Sequence, residues 1–289
     1  MKNLFLFITA NEHEKAAFKL RFKSEKNDSI KGKSYEIGKF GLYDVAYIHI
    51  DVQGYTNPAA LPLVGELVRE INPIAVVMVG IAFGADEKKQ NIGDVLVSQK
   101  ILSYDAEKIK RNEKTKEDFN VYKEDAKEPG FQLLNAFGNS DDWAYLIDGR
   151  KAAVHKGAIL TGSKLISNKD FKKKLMDDFK THEPIGGEME AYGVYSVCRL
   201  HGVSEWIIVK AICDWAYNKD KKKEEYQKIA SASSVDYCHY IFSQNVFKDL
   251  IPTNAIDRLS GSQFTTVNNG NAETINVFNI QEMNGDISV

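Results

Sequence analysis

Cysteine is scarce in this sequence, and its histidines are scattered. The 289 residues include three cysteines, Cys198, Cys213 and Cys238, which are isolated from one another and form no Cys-x-x-Cys pair. This spacing argues against a disulfide framework and predicts buried thiols in a reduced, cytoplasmic protein. The six histidines include no His-Glu-x-x-His pair, so we predict no metal site and expect no cofactor.

The chain also lacks a long apolar run and an excess of charge of either sign. Residues 4–10 are apolar, but they pass directly into Asn11-Glu12-His13-Glu14, so the run is too short for a secretory signal. No run approaches the ~20 apolar residues of a transmembrane helix. The net charge is -2, with 43% apolar and 27% charged residues, and this balance predicts neither a nucleic acid nor a membrane as a partner.

Strand-like and helix-like segments alternate along the chain. The predicted strands are 4–10, 45–51, 74–79, 95–101, 152–160 and 206–212. Apolar residues at helical spacing predict helices at 59–71, 190–201 and 225–247. This alternation predicts an α/β domain with a largely parallel or mixed sheet.

Two shifts in composition divide the chain. Residues 107–143 are polar, rich in lysine and weakly periodic, and a structureless loop of that length is unusual in a compact domain. We therefore predict an insertion at about 106–145 with some helix, either folded over the site or extending into solvent. Residues 259–289 contain no lysine or arginine, which predicts a catalytic domain over 1–250 and a separate tail over 251–289.

The tail contains a short β signal. Residues 274–280 read as a strand, and Asn284-Gly285 is typical of a tight turn. So small an element cannot bury its own core. It must pair with the main domain, pair with another subunit or stay mobile, and we favour pairing in a homo-oligomer.

Carboxylates occur where the predicted elements meet. Glu188 and Glu190 lie at the start of a predicted helix, and Asp214 follows the strand at 206–212. In open α/β sheets such positions face the ligand crevice, and paired carboxylates suit the cleavage of a glycosidic bond. This predicts an enzyme that acts on a nucleoside or nucleotide. The structural alternatives are first-turn charges favoured by the helix dipole for Glu188 and Glu190, and a cap on the following segment for Asp214.

Glu14 also admits two interpretations. Asn11 and Glu14 have the spacing of a capping box, whereas the functional alternative makes Glu14 a general base that faces the cleft. Gly80-Ile81-Ala82-Phe83-Gly84 is predicted to be a turn where the backbone can approach a ligand closely. Gly93-Asp94-Val95 is interpreted as scaffold.

Together these motifs resemble the purine nucleoside phosphorylase superfamily. The motifs that carry the resemblance are Ala10-Asn11-Glu12-His13-Glu14, Gly80-Ile81-Ala82-Phe83-Gly84 with Gly93-Asp94-Val95, Glu188-Met189-Glu190-Ala191, and Cys213-Asp214. The resemblance is strongest to its nucleosidase branch, typified by methylthioadenosine/S-adenosylhomocysteine nucleosidase. It spans roughly residues 1–247, interrupted after Asp105. It implies a three-layer α/β sandwich with a central twisted mixed sheet flanked by helices.

The resemblance also implies a role for each site residue. Glu14 matches the carboxylate that activates the attacking water, and Asp214 matches the acid that protonates the purine ring nitrogen. Met189 would pack against the ribose, and Glu190 would bind its hydroxyls. The implied substrate-binding residues are Glu190, Met189, Glu188, Ile166, Leu165, Ala82 and Phe83.

Some positions depart from the family pattern. Ile81 stands where members commonly carry a small hydroxyl residue, which contacts phosphate in the phosphorylases, and the glycine-arginine phosphate loop is missing near Asn11. Both departures favour water over phosphate as the nucleophile. Leu165 replaces a purine-stacking aromatic residue, and Cys213 replaces a serine. The polar Asn11 lies where the nucleosidases have an apolar wall, which favours a nucleotide over a thioether nucleoside.

Three hypotheses follow. The leading one is a purine N-ribosyl hydrolase that releases adenine from a nucleoside or nucleotide. By analogy with bacterial defence effectors, such an enzyme would deplete purine nucleotides. The alternatives are a phosphate-dependent purine nucleoside phosphorylase and a non-catalytic nucleoside-sensing module. The presence of Glu14, Glu190 and Asp214 together argues against the sensing module. The lysine-rich residues 219–223 either attract a phosphorylated substrate or lead into a solvated helix.

Overall fold

The structure is a computed structural model of the chain. It describes residues 3–50, 60–111, 113–116, 118–217, 223–251, 264–268 and 271–275. These residues divide into two units, Met1–Lys248 and Asp249–Val289. No helix within the described ranges is long and apolar enough to cross a membrane.

A nine-stranded mixed sheet is the centre of the larger unit. The strands of this unit are β1 (Phe5–Thr9), β2 (Lys23–Ile30), β3 (Lys33–Phe40), β4 (Tyr43–His49), β5 (Ala75–Gly84), β6 (Val95–Ser103), β7 (Glu107–Arg111), β8 (Asp118–Tyr122), β9 (Leu146–Ile147), β10 (Arg150–Lys151), β11 (Val154–Thr161), β12 (Pro184–Glu188) and β13 (Trp206–Asp214). The order in the sheet is β12-β11-β6-β13-β5-β1-β4-β3-β2. Because β12 also pairs with β5 in the antiparallel sense, five of these strands close into a ring.

Helices cover the sheet, as the α/β prediction requires. They are α1 (Glu12–Arg21), α2 (Ala60–Ile71), α3 (Phe131–Ala136), α4 (Lys169–Asp178), α5 (Ala191–Leu200) and α6 (Lys223–Phe242). The helices α1 and α6 contact each other, and so do α2 and α5. The predicted fold class, a mixed sheet flanked by helices, is confirmed.

The first strand shows why two layers of helices are needed. All five residues of β1 are buried, and successive side chains of a strand point to opposite faces. Phe5 and Phe7 pack edge-on against Phe242 of α6, with ring centroids 4.9 Å apart in both pairs. Leu6 and Ile8 belong instead to the apolar cluster that includes residues of α2 and α5.

Two predicted segments differ in the structure. The predicted turn at residues 80–84 is wrong, because β5 continues to Gly84 and pairs there with Gly186 of β12. The predicted insertion contains the short helix α3, but also an antiparallel hairpin of β7 and β8. The charged sequence of β7, Glu107-Lys108-Ile109-Lys110-Arg111, gave no apolar signal for a strand.

The smaller unit also contains a hairpin. Its strands β14 (Phe264–Asn268) and β15 (Asn271–Ile275) pair in the antiparallel sense. The strand predicted at 274–280 overlaps β15 only at Thr274 and Ile275. The rest of that prediction, and the turn at Asn284-Gly285, lie outside the described residues.

Candidate active site

A cavity of about 200 Å³ lies where several strands and helix starts meet. All nine site residues predicted from the sequence line this cavity: Glu14, Ala82, Phe83, Leu165, Ile166, Glu188, Met189, Glu190 and Asp214. They come from the start of α1, the end of β5, the segment after β11, the junction of β12 with α5, and the end of β13. No lining residue within the described ranges belongs to the insertion at 106–145, but Glu107 of the insertion contacts the lining residue Lys164, with Oε1 3.3 Å from Lys164 Nζ.

Backbone N–H groups hold the Glu14 carboxylate at the cavity wall. Its two oxygens accept from Ala10 N at 2.6 Å, Asn11 N at 3.2 Å and Ile81 N at 2.9 Å. In return, Glu14 N donates to Asn11 Oδ1 at 3.0 Å, which completes the predicted capping box. The two interpretations of Glu14 are therefore compatible, since one carboxylate caps α1 and also borders the cavity.

The environment of Glu14 also affects its protonation. Burial raises the pKa of Glu14, because a charged carboxylate loses its hydration, while the nearby Lys210 ammonium acts in the opposite direction. Gly80 makes this close fit possible. A Cβ at Gly80 would lie 2.1 Å from Glu14 Oε1, so the glycine is explained by the approaching carboxylate and not by a turn.

Lys210 is a site residue that the motifs did not reveal. It is fully buried in the middle of β13, and its Nζ lies 3.3 Å from Glu190 Oε2 and 3.6 Å from Glu188 Oε2. Burial by itself would lower the pKa of Lys210, but Glu190, Glu14 and Glu188 together raise it above its ordinary value. The signal in the sequence was a lysine inside an otherwise apolar strand, since such a charge is costly unless it is paired.

Glu188 and Glu190 have different positions, although they are two residues apart. Glu188 ends β12 and is buried, so it is not the first-turn helix residue considered from the sequence. Its carboxylate accepts from Glu190 N and Ala191 N at about 3 Å and thereby caps the start of α5. Burial raises the pKa of Glu188 to about 7, against the opposing charge of Lys210. Glu190 is the N-cap residue of α5, with its side chain paired to Lys210.

Asp214 ends β13 and lines the same cavity. Its Oδ1 accepts from Ala216 N at 2.7 Å, so it also caps the following segment, as the structural interpretation predicted. Ala216 has a φ of +59°, a left-handed conformation that is uncommon for a residue with a Cβ. The carboxylate is therefore fixed by a tight turn immediately after the strand.

Apolar side chains form the wall between the acidic groups. Ile166 and Ala82 are buried, while Leu165 is 57% exposed at the rim. Gly187 lets Phe83 approach the β12 backbone, because a Cβ there would lie 2.4 Å from Phe83 Cζ. An apolar slot with a carboxylate at its edge suits a flat heteroaromatic base. No group of three histidine, cysteine or acidic residues in the described part of the chain could hold a metal ion.

The fold is a mixed sheet in which five strands form a closed ring, and an acidic cluster lies at the strand ends. These two features define a class of α/β proteins related to the nucleoside phosphorylases. The chain belongs to the phosphorylase superfamily, whose sequence pattern matches residues 5–239. The resemblance inferred from the motifs is thereby confirmed.

Solved structures with the same fold include a 5′-methylthioadenosine/S-adenosylhomocysteine nucleosidase from Neisseria meningitidis, in complex with methylthio-immucillin-A. It has a TM-score of 0.67 and 19% identity, over 83% of this chain and 99% of that one. The futalosine hydrolase of Helicobacter pylori has a TM-score of 0.65 and 16% identity, over 83% and 97%. At these identities the likeness is one of fold.

A curated relative is the Death domain-containing ATP nucleosidase of Amphimedon queenslandica. It is 24% identical over an alignment of 268 residues, and the match covers 81% of this chain and 47% of the relative. The chain thus spans about half the length of the curated relative that it matches.

Proposed function

We propose that the protein is a purine N-ribosyl hydrolase that releases adenine from a nucleoside or nucleotide. The observation that carries the proposal is the placement of Glu14, Glu190 and Asp214 around one cavity with an apolar wall between them. Glycosidic cleavage needs charge stabilisation at the sugar and a proton at the departing base, and these residues supply both.

Each residue has a role in the proposed reaction. Glu14 takes a proton from the attacking water, and Glu190, held by Lys210, binds the ribose hydroxyls. Asp214 gives its proton to a purine ring nitrogen, so that the base leaves without negative charge. Each acid–base step contributes about 100- to 10,000-fold in rate. Glu188 keeps Glu190 and α5 in place through its backbone hydrogen bonds.

A nucleotide is the favoured substrate within this proposal. Lys164, Lys223 and the polar Asn11 all line the cavity, and ammonium groups favour phosphate oxygens over a thioether. The likeness to an ATP nucleosidase supports the same choice. The biological role that agrees with such a substrate is a defence response in the cytoplasm, in which a homo-oligomer of the protein depletes purine nucleotides.

A substrate panel tests the proposal. Adenosine, methylthioadenosine, S-adenosylhomocysteine, AMP, ATP and inosine are incubated with the protein, with and without inorganic phosphate, and free base is measured by chromatography. We expect release of adenine from AMP or ATP without any need for inorganic phosphate. By resemblance, Ile81 replaces the hydroxyl residue that contacts phosphate in the phosphorylases. Strict phosphate dependence would identify a phosphorylase instead, and turnover of methylthioadenosine far above AMP and ATP would reverse the choice of a nucleotide.

A further inference from the structure

A buried lysine lies close to the segment that carries Asp214. Lys172 of α4 is 5% exposed, and its Nζ lies 5.5 Å from the ring centroid of Trp215 and 5.3 Å from that of Tyr217. Both rings are within the distance at which an aromatic face attracts a cation. The rings screen the ammonium from water and hold it in one place.

Most of the charges that act on this ammonium are acidic. Glu87 and Asp86 follow β5, and Asp214 ends β13. The charges of all three favour the charged form of Lys172, whereas Lys169 on the same helix opposes it. The other titratable neighbour is the phenol of Tyr217, whose pKa is raised by burial and by a hydrogen bond with Glu87.

The position of Lys172 is costly for the fold. Burial lowers its pKa to about 8 in spite of the surrounding carboxylates. The folded pKa is therefore below that of an exposed lysine, so the charged form reduces stability below about pH 8, and this loss disappears as the pH rises towards about 10.4. An apolar side chain of similar length would fold at least as well at neutral pH.

The segment that Lys172 contacts is directly linked to Asp214. Trp215, Ala216 and Tyr217 follow Asp214 in the chain, and Ala216 N donates to the Asp214 carboxylate. Trp215 in turn packs on Gly84 of β5, where a Cβ would lie 2.4 Å from its Cζ3. The ammonium and the carboxylate are thus placed by the same few residues.

We propose that Lys172 is a positioning residue for the acid group: its buried ammonium holds Trp215 and Tyr217, and this fixes the segment that orients the Asp214 carboxylate towards the departing purine. The inference rests on the proposed function. In that reaction the C1′–N bond breaks, its electron pair goes to the base, and the Asp214 proton goes to a purine ring nitrogen. The water oxygen bonds to C1′, and its proton goes to Glu14. Lys172 keeps its own proton throughout and takes no part in the proton transfer.

The test compares Lys172→Met with Lys172→Arg and with Lys173→Met, a matched control on the same helix whose side chain is exposed. Since the position of the acid group matters most while its proton is being transferred, we expect Lys172→Met to lower kcat by about ten-fold, equivalent to about 1.4 kcal/mol. KM should change by less than about three-fold, because substrate binding does not use this charge. Lys172→Arg should recover most of the lost kcat, and Lys173→Met should behave like the unaltered protein.

Melting temperature provides an activity-independent measurement. Lys172→Met should melt at the same temperature as the unaltered protein or higher, because a buried charge has been removed. An unchanged kcat in Lys172→Met would overturn the inference. A lower melting temperature in Lys172→Met, together with no recovery of kcat in Lys172→Arg, would also overturn it, because that result indicates a packing role. If the unaltered protein releases no base from any member of the panel, the proposed function itself fails, and this inference fails with it.

Discussion

At the scale of single residues, the site is a balance of buried charges. Lys210 pairs with Glu188 and Glu190, and its charge also acts on Glu14. Removing one member leaves the others with an uncompensated, largely buried charge, and such losses are large. The residues of the site are therefore coupled, and conservative substitutions are the informative ones.

Asp214→Asn and Glu14→Gln should each abolish most of the base release while the fold survives. Both changes keep the shape of the side chain and remove its capacity for proton transfer, which contributes about 100- to 10,000-fold. Rates are measured on the best substrate of the panel, with folding checked by circular dichroism. Glu25→Gln, at an exposed position of β2, is the control. Near-normal rates in either site variant would remove that residue from the mechanism.

Glu190→Ala should weaken ribose binding and rate together. A charge-assisted hydrogen bond contributes roughly 1.5–3 kcal/mol, so kcat/KM should fall by about ten- to a hundred-fold. The fall should be much smaller for a 2′-deoxyribose substrate, since one of the hydroxyl contacts is already missing. Glu25→Ala is the control. A loss below about 1 kcal/mol, equal for both sugars, would mean that Glu190 is only a charge at a helix start.

The sequence predicted these acidic residues because each lies in a short motif at the end of an element. Lys210 was not predicted, since a residue in the middle of a strand belongs to no local motif and its carboxylate partners are brought to it by β12 and β13. The burial of Lys172 was not predicted for a similar reason. This residue lies in a run of three lysines, Lys172-Lys173-Lys174, and only the fold distinguishes the buried one from the exposed ones.

At the scale of elements, six of the nine strands of the large sheet were predicted, whereas β2, β3, β12 and the ring closure were not. The residues of β1, β4 and β13 are mostly apolar, so their sequences indicate strands. The extension of β5 to Gly84 depends on antiparallel pairing with β12, about a hundred residues away in sequence. Pairing over such a distance leaves no periodicity in either segment, which is why glycines at residues 80–84 were interpreted as a turn.

Gly80→Ala tests the contact between β5 and α1. The new Cβ would overlap Glu14 Oε1, so the carboxylate must move, and we expect a rate loss of about 100-fold or more. Stability should fall by about 1–3 kcal/mol, as in other overpacked sites. The matched control is Gly65→Ala in α2, where the new Cβ would lie 3.3 Å from His201 Nε2. It should keep full activity, and its stability should change by less than about 1 kcal/mol, because the gain in helix propensity opposes this close contact. Full activity in Gly80→Ala would show that Glu14 does not need its present position.

At the scale of the whole molecule, the chain joins a large α/β unit to a small one that contains a hairpin. The hairpin consists of two strands of five residues each, and an isolated two-stranded hairpin is marginally stable at best in water. Within residues 264–268 and 271–275 the hairpin forms a sheet of two strands, and the edges of such a sheet favour addition of further strands. We therefore propose that the hairpin pairs with a second copy of the chain.

Removal of residues 249–289 should then lower the oligomeric mass without removing the active site. The nine predicted site residues lie within 1–248, so base release per subunit should persist where the shortened protein remains folded. Light scattering measures the mass, and the same preparation is assayed for adenine. A matched variant, Thr265→Pro, keeps the full length but removes a backbone N–H in β14 and so prevents regular pairing. If both variants keep the mass and melting temperature of the unaltered protein, the tail is a passive extension. If the mass falls and base release disappears with it, the site needs the assembled protein.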